Sequence, residues 1–222
     1  MNARSIDPSA STDPVFEGVY GLFTITAEDR REVLGYRLAL LALAIAELAL
    51  LWQWQRFGGV WSWPWLVVMA AGLGLALQWI HIYLRPLHRA LQLFWLLGCA
   101  GAVGLALRVG PDAMLDTLAA DPRWIWAIGP FFAAQAGIGF KEFFCFQRPE
   151  AIGVTLVLPV ALLGRLSGLL DPRQTFGLLL LQAALLLVLC LRKFPMAAQA
   201  DVGDKSVFAH LEAQAQAQGV SR

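Results

Sequence analysis

Six long apolar runs constrain the fold of this chain more than any other feature of its sequence. We place them at residues 33–54, 60–84, 90–107, 124–140, 152–170 and 175–191. Each is close to the roughly 20 residues that an α-helix needs to cross about 30 Å of hydrocarbon. A soluble domain of 222 residues, 58% of them hydrophobic, could not bury so much apolar surface in one core. The sequence therefore predicts an all-α, polytopic transmembrane bundle of six spans in contact with a lipid bilayer.

The basic residues predict the orientation of these helices. With six spans, both termini lie on the same side of the membrane, and twelve of the 17 Lys and Arg residues lie on that side. The other five lie on the opposite side; they are Arg56, Arg108, Arg123, Arg165 and Arg173. The positive-inside rule then puts both termini in the cytoplasm or the stroma. Seven of the nine tryptophans fall at the opposite boundary, as expected for an aromatic belt.

The two ends of the chain differ in composition from the apolar runs. Residues 1–32 are predicted to form a tail, flexible over 1–13 and lying on the protein or the headgroups over the apolar stretch that follows. Thr26 with Asp29 predicts a helix N-cap. Residues 33–193 form the transmembrane domain, and residues 194–222 a polar tail. Part of that tail, 206–218, suits either a docked helix or disorder.

Two features between the apolar runs predict local structure. Residues 111–121 have apolar side chains at helical spacing, which indicates a short surface helix on the outer side. The third and fourth spans are rich in glycine, and small residues let helix backbones approach closely in membranes. We expect these two spans to form the packed centre of the bundle.

Two charged segments interrupt the apolar sequence, at residues 79–89 (WIHIYLRPLHR) and 137–150 (GIGFKEFFCFQRPE). Each follows an even-numbered span, so both are expected on the inner face. Their side chains are candidates for an inner-face binding patch, formed by His81, Arg85, His88, Arg89, Lys141, Glu142, Cys145, Arg148 and Glu150. The alternative is that these charges anchor helix ends and pair with one another.

Motifs for metals, cofactors and catalysis are sparse. His81 and His88 would stand about 10.5 Å apart along an unbroken helix, and no paired Cys or His spacing supplies further ligands, so no metal site is predicted. His81 alone is a weak candidate to ligate a chlorophyll or haem, and the cofactor is otherwise unknown. No established catalytic motif occurs, so no catalytic residue is assigned. A net charge of +1 does not favour a nucleic-acid partner.

Glu47 is the notable polar residue inside an apolar run. A carboxyl group past the middle of the first span must be protonated, paired or facing a wet cavity, and an intramembrane acid is a functional candidate. A structural Glu bonded to a neighbouring helix is the alternative. Its candidate partners are the intramembrane amides Gln78, Gln92, Gln135 and Gln182.

Three stretches carry a family resemblance: VYGLFTITAEDR (19–30), WIHIYLRPLHRALQLFWLLG (79–98) and GFKEFFCFQRPE (139–150). In this order and with these apolar runs between them, the chain resembles, over residues 17–191, a family of uncharacterised integral membrane proteins of cyanobacteria and plastids. The resemblance implies a thylakoid or plasma membrane. It implies no functional residues.

Three functions fit these observations. The sequence favours a non-enzymatic accessory or assembly factor that binds subunits of a larger membrane complex, photosynthetic or other, through the inner-face patch. A small-solute or ion transporter that uses Glu47 is the first alternative. A membrane enzyme with a site at residues 81–89 and 141–150 is the second.

Overall fold

The computed structural model describes residues 13–82 and 84–217. Contacts divide the described chain into two compact units. We call residues 35–196 the helix bundle, and residues 13–34 with 197–217 the terminal unit. Apart from Asp13, the predicted flexible tail at 1–13 lies outside the described residues.

The helix bundle contains six long helices in chain order. These are α1 (Ala27–Phe57, in the bundle from residue 35), α2 (Trp63–Trp79), α3 (Arg85–Val109), α5 (Ile125–Phe146), α6 (Pro149–Leu166) and α7 (Pro172–Lys193). Between α3 and α5 lie a short helix, α4 (Met114–Ala120), and single 3₁₀ turns at Pro111–Ala113 and Pro122–Trp124. The short helix predicted at 111–121 is confirmed.

Each predicted span overlaps one long helix, but the bounds differ by up to six residues, and two of the differences bear on the charged segments. The second span was predicted to run to residue 84, whereas α2 ends at Trp79. Pro86 lies in the first turn of α3, a position that suits proline, and residues 80–82 and 84, which the structure describes between the two helices, are not helical. α5 extends beyond residue 140 to Phe146, and Gln147 then takes a left-handed conformation ahead of Pro149.

Four helices of the described chain are long and apolar enough to cross a membrane, namely α1, α3, α6 and α7. α2 is apolar but has only 17 residues. α5 has 22 residues and carries Lys141 and Glu142 near its end. The chain therefore has the composition of a multi-pass membrane protein.

Glycine brings α3 and α5 together as the sequence predicted. A Cβ atom added at Gly98 would overlap the backbone of Phe131, and one at Gly101 would overlap the Ala127 carbonyl. The expectation that α3 and α5 form the centre of the bundle is nevertheless wrong for α3. Over the most apolar 18 residues of each helix, 17% of α3 is buried, against 56% of α1.

The terminal unit contains a β-hairpin that the sequence analysis did not predict. β1 (Val15–Gly18) pairs antiparallel with β2 (Gly21–Thr24), and Phe16 lies directly opposite Phe23 with ring centroids 5.7 Å apart. Both rings pack against Ile25, Val33 and Val202.

The C-terminal part of the terminal unit is helical, as α8 (Ala198–Val202) and α9 (Lys205–Ala217). Asp204 connects it to the hairpin, because its carboxylate accepts hydrogen bonds from the Val19 amide (2.7 Å) and from the amide and hydroxyl of Ser206 (2.9 and 2.6 Å). The predicted N-cap is confirmed: the Asp29 amide donates to the Thr26 hydroxyl at 3.2 Å, and the Thr26 amide donates to Asp29 at 2.7 Å.

Candidate functional site

The first charged segment lies between α2 and the first turns of α3. His81 is half-buried in the connecting loop, and Arg85 and Arg89 are exposed. The Nε2 atom of His88 lies 2.7 Å from the Leu77 carbonyl oxygen. A carbonyl only accepts, so this ring nitrogen carries a proton and is not available to bind a metal.

In the second charged segment, Lys141 and Glu142 are buried within the bundle. Glu142 has no exposed surface, and its carboxylate accepts hydrogen bonds from the Tyr36 hydroxyl (2.7 Å), Lys141 (3.2 Å) and Lys193 (2.5 Å). These four residues, which we call the lysine–glutamate cluster, connect α1, α5 and α7.

Aromatic rings balance the second positive charge of this cluster. The Nζ atom of Lys193 lies 4.6 Å from the ring centroid of Phe146 and 5.3 Å from that of Tyr36. The Nζ atom of Lys141 lies 5.5 Å from each of the same centroids. Because a ring face attracts a cation, two lysines can be buried with one carboxylate.

The remaining members of the predicted patch are partly engaged within the bundle. Arg192 donates to Glu150 at 2.9 Å, and Arg148 lies 3.7 Å from the same carboxylate and donates to the Arg192 carbonyl at 3.4 Å. Cys145 is exposed, in contrast to Lys141 and Glu142. The structure thus places these residues at one end of the bundle without gathering them into a single site.

Glu47 is held at a second buried position, and the structure selects its partners among the four predicted amides. Its side chain is 3% exposed, and its Oε2 atom accepts a hydrogen bond of 2.7 Å from Gln135 Nε2. Gln182 is fully buried beside the same carboxyl group. Gln78 is exposed and Gln92 is half-buried on other parts of the bundle surface.

These two amides have unused hydrogen-bonding atoms. The Oε1 atoms of Gln135 and Gln182 are buried without a hydrogen-bond donor, whereas the Gln182 Nε2 atom lies on the side of Glu47, outside strict hydrogen-bond geometry. Such atoms are uncommon, because a buried polar group without a partner costs about 1–3 kcal/mol. Two such oxygens near a buried acid make this position a candidate site.

Glu47 lines a cavity of about 360 Å³ in the bundle. The cavity is formed by the halves of the long helices nearest the α1–α2, α3–α5 and α6–α7 connections, and its lining is mostly apolar, with aromatic side chains that include Trp54, Trp63, Phe131 and Phe176. Arg165 and Thr175 also line it. Glu47 is the acidic residue of this mostly apolar lining.

The segment that contains α4 covers this cavity through Met114, Leu115 and Leu118. Three polar contacts hold it in place. Trp54 Nε1 donates to Asp116 at 3.2 Å, the Trp61 amide donates to Asp112 at 2.9 Å, and Arg165 donates to the Ala119 carbonyl at 2.8 Å.

Sequence reasoning found Glu47 but missed Tyr36 and Lys193. Glu47 was visible because its charge interrupts an apolar run. Tyr36 and Lys193 lie at the ends of their runs, where such residues are common in any membrane helix, so only the pairing with Glu142 reveals their role.

Comparisons with known proteins show the family but not an activity. The model of a family described as "Uncharacterized integral membrane protein (DUF2301)" matches residues 75–210, from α2 into α9, which is more than half of the chain. No curated protein and no solved structure matches the sequence. The chain therefore belongs to this family of integral membrane proteins.

Proposed function

We propose that this protein binds a small lipid-soluble molecule in the cavity beside Glu47 and acts as a carrier for it. The observation that supports the proposal is the placement of Glu47, buried, bonded to Gln135 and lining an apolar cavity of about 360 Å³. This is the transporter alternative of the sequence analysis, now with a defined binding volume.

The size and lining of the cavity agree with those of ligand sites in general. Small-molecule sites are commonly clefts or cavities of about 300–1,000 Å³, with apolar walls and few polar groups that orient the ligand. Here the few polar groups of the lining include Glu47, Arg165 and Thr175. Since acids inside membrane helices are expensive and usually functional, a role in packing alone is the weaker explanation.

We further propose that all six long helices cross the membrane. α2, with 17 residues, spans about 25 Å, close to the hydrocarbon thickness. Its ends are also flanked by Trp63 and Trp79, as expected at a membrane boundary. An even number of spans puts both termini on one side, the side that twelve of the 17 basic residues favour.

An accessory or assembly role through the inner-face patch stays a prediction, as does a thylakoid or plasma-membrane location. The geometry supports that role less than it supports a carrier. Lys141, Glu142 and Glu150 are buried and engaged in ion pairs inside the bundle, which leaves fewer charged groups for a partner.

Native mass spectrometry of the protein in mild detergent tests the carrier proposal. The wild type is expected to retain one small molecule. Ala102→Phe fills part of the cavity and should abolish this retention. Ala100→Phe, the same change two residues away at an exposed position outside the cavity, should keep it. Equal retention by both variants, or none by the wild type, would contradict the proposal.

A further inference from the structure

The buried carboxylates of the bundle differ in their counter-charges. Three carboxylates are buried among its described residues, those of Glu47, Glu142 and Glu150. Glu142 contacts two lysines, and Glu150 contacts Arg192 at 2.9 Å. Among the described residues, no basic side chain forms an ion pair with Glu47, whose hydrogen bond comes from a neutral amide. The bundle therefore has one buried acid without a cation.

Two amide oxygens near Glu47 also lack a hydrogen-bond donor. Gln135 uses its Nε2 atom to reach Glu47, which leaves its Oε1 atom without a donor, and the Oε1 atom of Gln182 is equally unpartnered. The cavity lining includes Glu47 but neither of these glutamines, so the group that can meet a ligand in the cavity is the Glu47 carboxylate, bonded to Gln135. An ammonium group has three N–H donors and a positive charge, so it would pair with this carboxylate through charge-assisted hydrogen bonds.

The walls of the cavity suit a cation that carries an apolar body. Trp54, Trp63, Phe131 and Phe176 line the space, and Trp54 and Phe176 meet edge to face with centroids 6.1 Å apart. Aromatic faces attract organic cations, more strongly where water is excluded. A neutral ligand would gain only the apolar contact.

The basic residue of the lining lies away from Glu47. Arg165 is the residue before the last of α6, and its guanidinium donates to the Ala119 carbonyl in the cover segment. Glu47 lies ten residues before the end of α1 at Phe57, about 15 Å along the helix axis. The two ends of the cavity thus carry opposite charges, and the cationic end of a ligand belongs beside Glu47.

We infer that the ligand of this cavity is a small lipophilic amine, bound as its ammonium ion by the Glu47 carboxylate, which Gln135 holds in place. The inference rests on the proposed carrier function and names the chemical class of its solute. The apolar part of the amine packs among the aromatic side chains.

Three probes of similar shape separate charge from hydrophobicity. They are 2-phenylethylamine, which is a cation at neutral pH, propylbenzene, which replaces the ammonium by a methyl group, and 3-phenylpropanoate, which is an anion. Binding to the protein in lipid nanodiscs is measured through the fluorescence of the tryptophans that line the cavity. We expect the amine to bind about tenfold or more tightly than propylbenzene, since hydrogen bonds to a charged group contribute about 1.5–3 kcal/mol.

Variants assign this preference to Glu47. Glu47→Gln should remove the preference for the amine, whereas Glu28→Gln, the same change at an exposed position in the first turn of α1, should retain it. Where Glu47→Gln fails to fold, Glu47→Asp keeps the charge on a shorter side chain and should weaken amine binding while preserving the preference.

The other outcomes are equally informative. Equal binding of the amine and propylbenzene would overturn the inference and leave the carrier proposal standing. Preferred binding of 3-phenylpropanoate would overturn it in favour of an anion near Arg165. Absence of binding by all three probes, with a small molecule retained in native mass spectrometry, would overturn the amine but not the carrier.

Discussion

Single residues decide whether a charge can be buried in this bundle. Glu142 accepts three hydrogen bonds, from Tyr36, Lys141 and Lys193, and these contacts offset the free-energy cost of burying its charge. Removing one partner of a buried ion pair leaves an uncompensated charge, which is more damaging than replacing the pair as a whole.

Glu142→Gln should therefore destabilise the bundle strongly. The substitution leaves two buried lysines without a carboxylate, and we expect a loss of about 3–5 kcal/mol in the free energy of unfolding. Thermal unfolding in detergent, followed by intrinsic fluorescence, measures the effect.

Two controls interpret that measurement. Glu28→Gln makes the same charge change at an exposed site and should leave the unfolding temperature nearly unchanged. The double variant Glu142→Gln with Lys193→Met should recover part of the loss, because it removes one of the two orphaned charges. If Glu142→Gln alone is as stable as the wild type, the contacts of the lysine–glutamate cluster do not stabilise the bundle.

Asp204 gives the terminal unit a pH dependence of known sign. Hydrogen bonds from the Ser206 hydroxyl and the Val19 amide lower the pKa of the Asp204 carboxyl below its ordinary value. A carboxyl whose pKa is lowered on folding stabilises the folded state above its unfolded pKa, and that stabilisation is lost as the pH falls through the folded pKa.

We therefore expect the Val19 amide resonance in NMR spectra to shift with a midpoint below about 3.9, the ordinary value for Asp. Asp204→Asn should remove this transition. A midpoint at or above the ordinary value would mean that the hydrogen bonds to Asp204 do not form.

At the residue scale, the sequence identified the unusual side chains but not their contacts. Glu47 was recognised as an intramembrane acid with four candidate amides, and two of the four, Gln135 and Gln182, surround it. All four amides lie in or beside apolar runs, so only the rotation of each helix in the bundle distinguishes them. Helix rotation depends on packing between elements, which spacing along one chain does not specify.

Among the elements, apolar runs predicted where the long helices lie but missed their ends by up to six residues, because proline and capping residues set those ends. α3 begins with Pro86 in its first turn, and α7 begins after Asp171, whose side chain accepts from the Gln174 amide at 2.8 Å. The β-hairpin was missed because each strand has only four residues, too few for an alternating pattern to stand out from an apolar stretch.

The packing of α3 on α5 supplies a test at this scale. A methyl group added by Gly101→Ala would overlap the Ala127 carbonyl and force the two helices apart, which should lower stability by about 1–3 kcal/mol.

Gly104→Ala is the matched control, one turn along the same helix. Its added methyl group would enter open space, so the change should be neutral or stabilising by up to about 1 kcal/mol through helix propensity. Comparison of the two unfolding temperatures in detergent measures the difference. Similar losses in both variants would contradict close packing at Gly101.

For the whole molecule, the proposed six spans predict which loops share a side of the membrane. Single cysteines at the exposed positions Arg56 and Arg123 should react with a membrane-impermeant maleimide from one side only. A cysteine at Arg85, and the native Cys145, should react only from the other, with the remaining native cysteines replaced by alanine.

Each pair of cysteines flanks one helix and tests whether that helix crosses the membrane. Labelling of Arg56→Cys and Arg85→Cys from the same side would show that α2 does not cross, and the same result for Arg123→Cys and Cys145 would show that α5 does not. Either result would leave fewer than six spans and remove the shared side assigned to the termini.

The cavity could not be predicted from the sequence, because it arises where the six long helices and the α4 segment fail to fill the space between them. Residues that line it, such as Ala102 and Leu162, are ordinary members of apolar runs. In the sequence, only Glu47 indicated where the cavity lies, and Glu47 gave no indication of the cavity's size.

An experimental structure of the wild-type protein in lipid nanodiscs, at a resolution that shows small molecules, tests whether a ligand occupies the cavity beside Glu47. We expect density for a bound molecule inside the cavity, in hydrogen-bonding contact with the Glu47 carboxyl group. A cavity filled by neighbouring side chains, or a basic side chain of the protein paired with Glu47, would contradict the proposal that Glu47 binds a ligand.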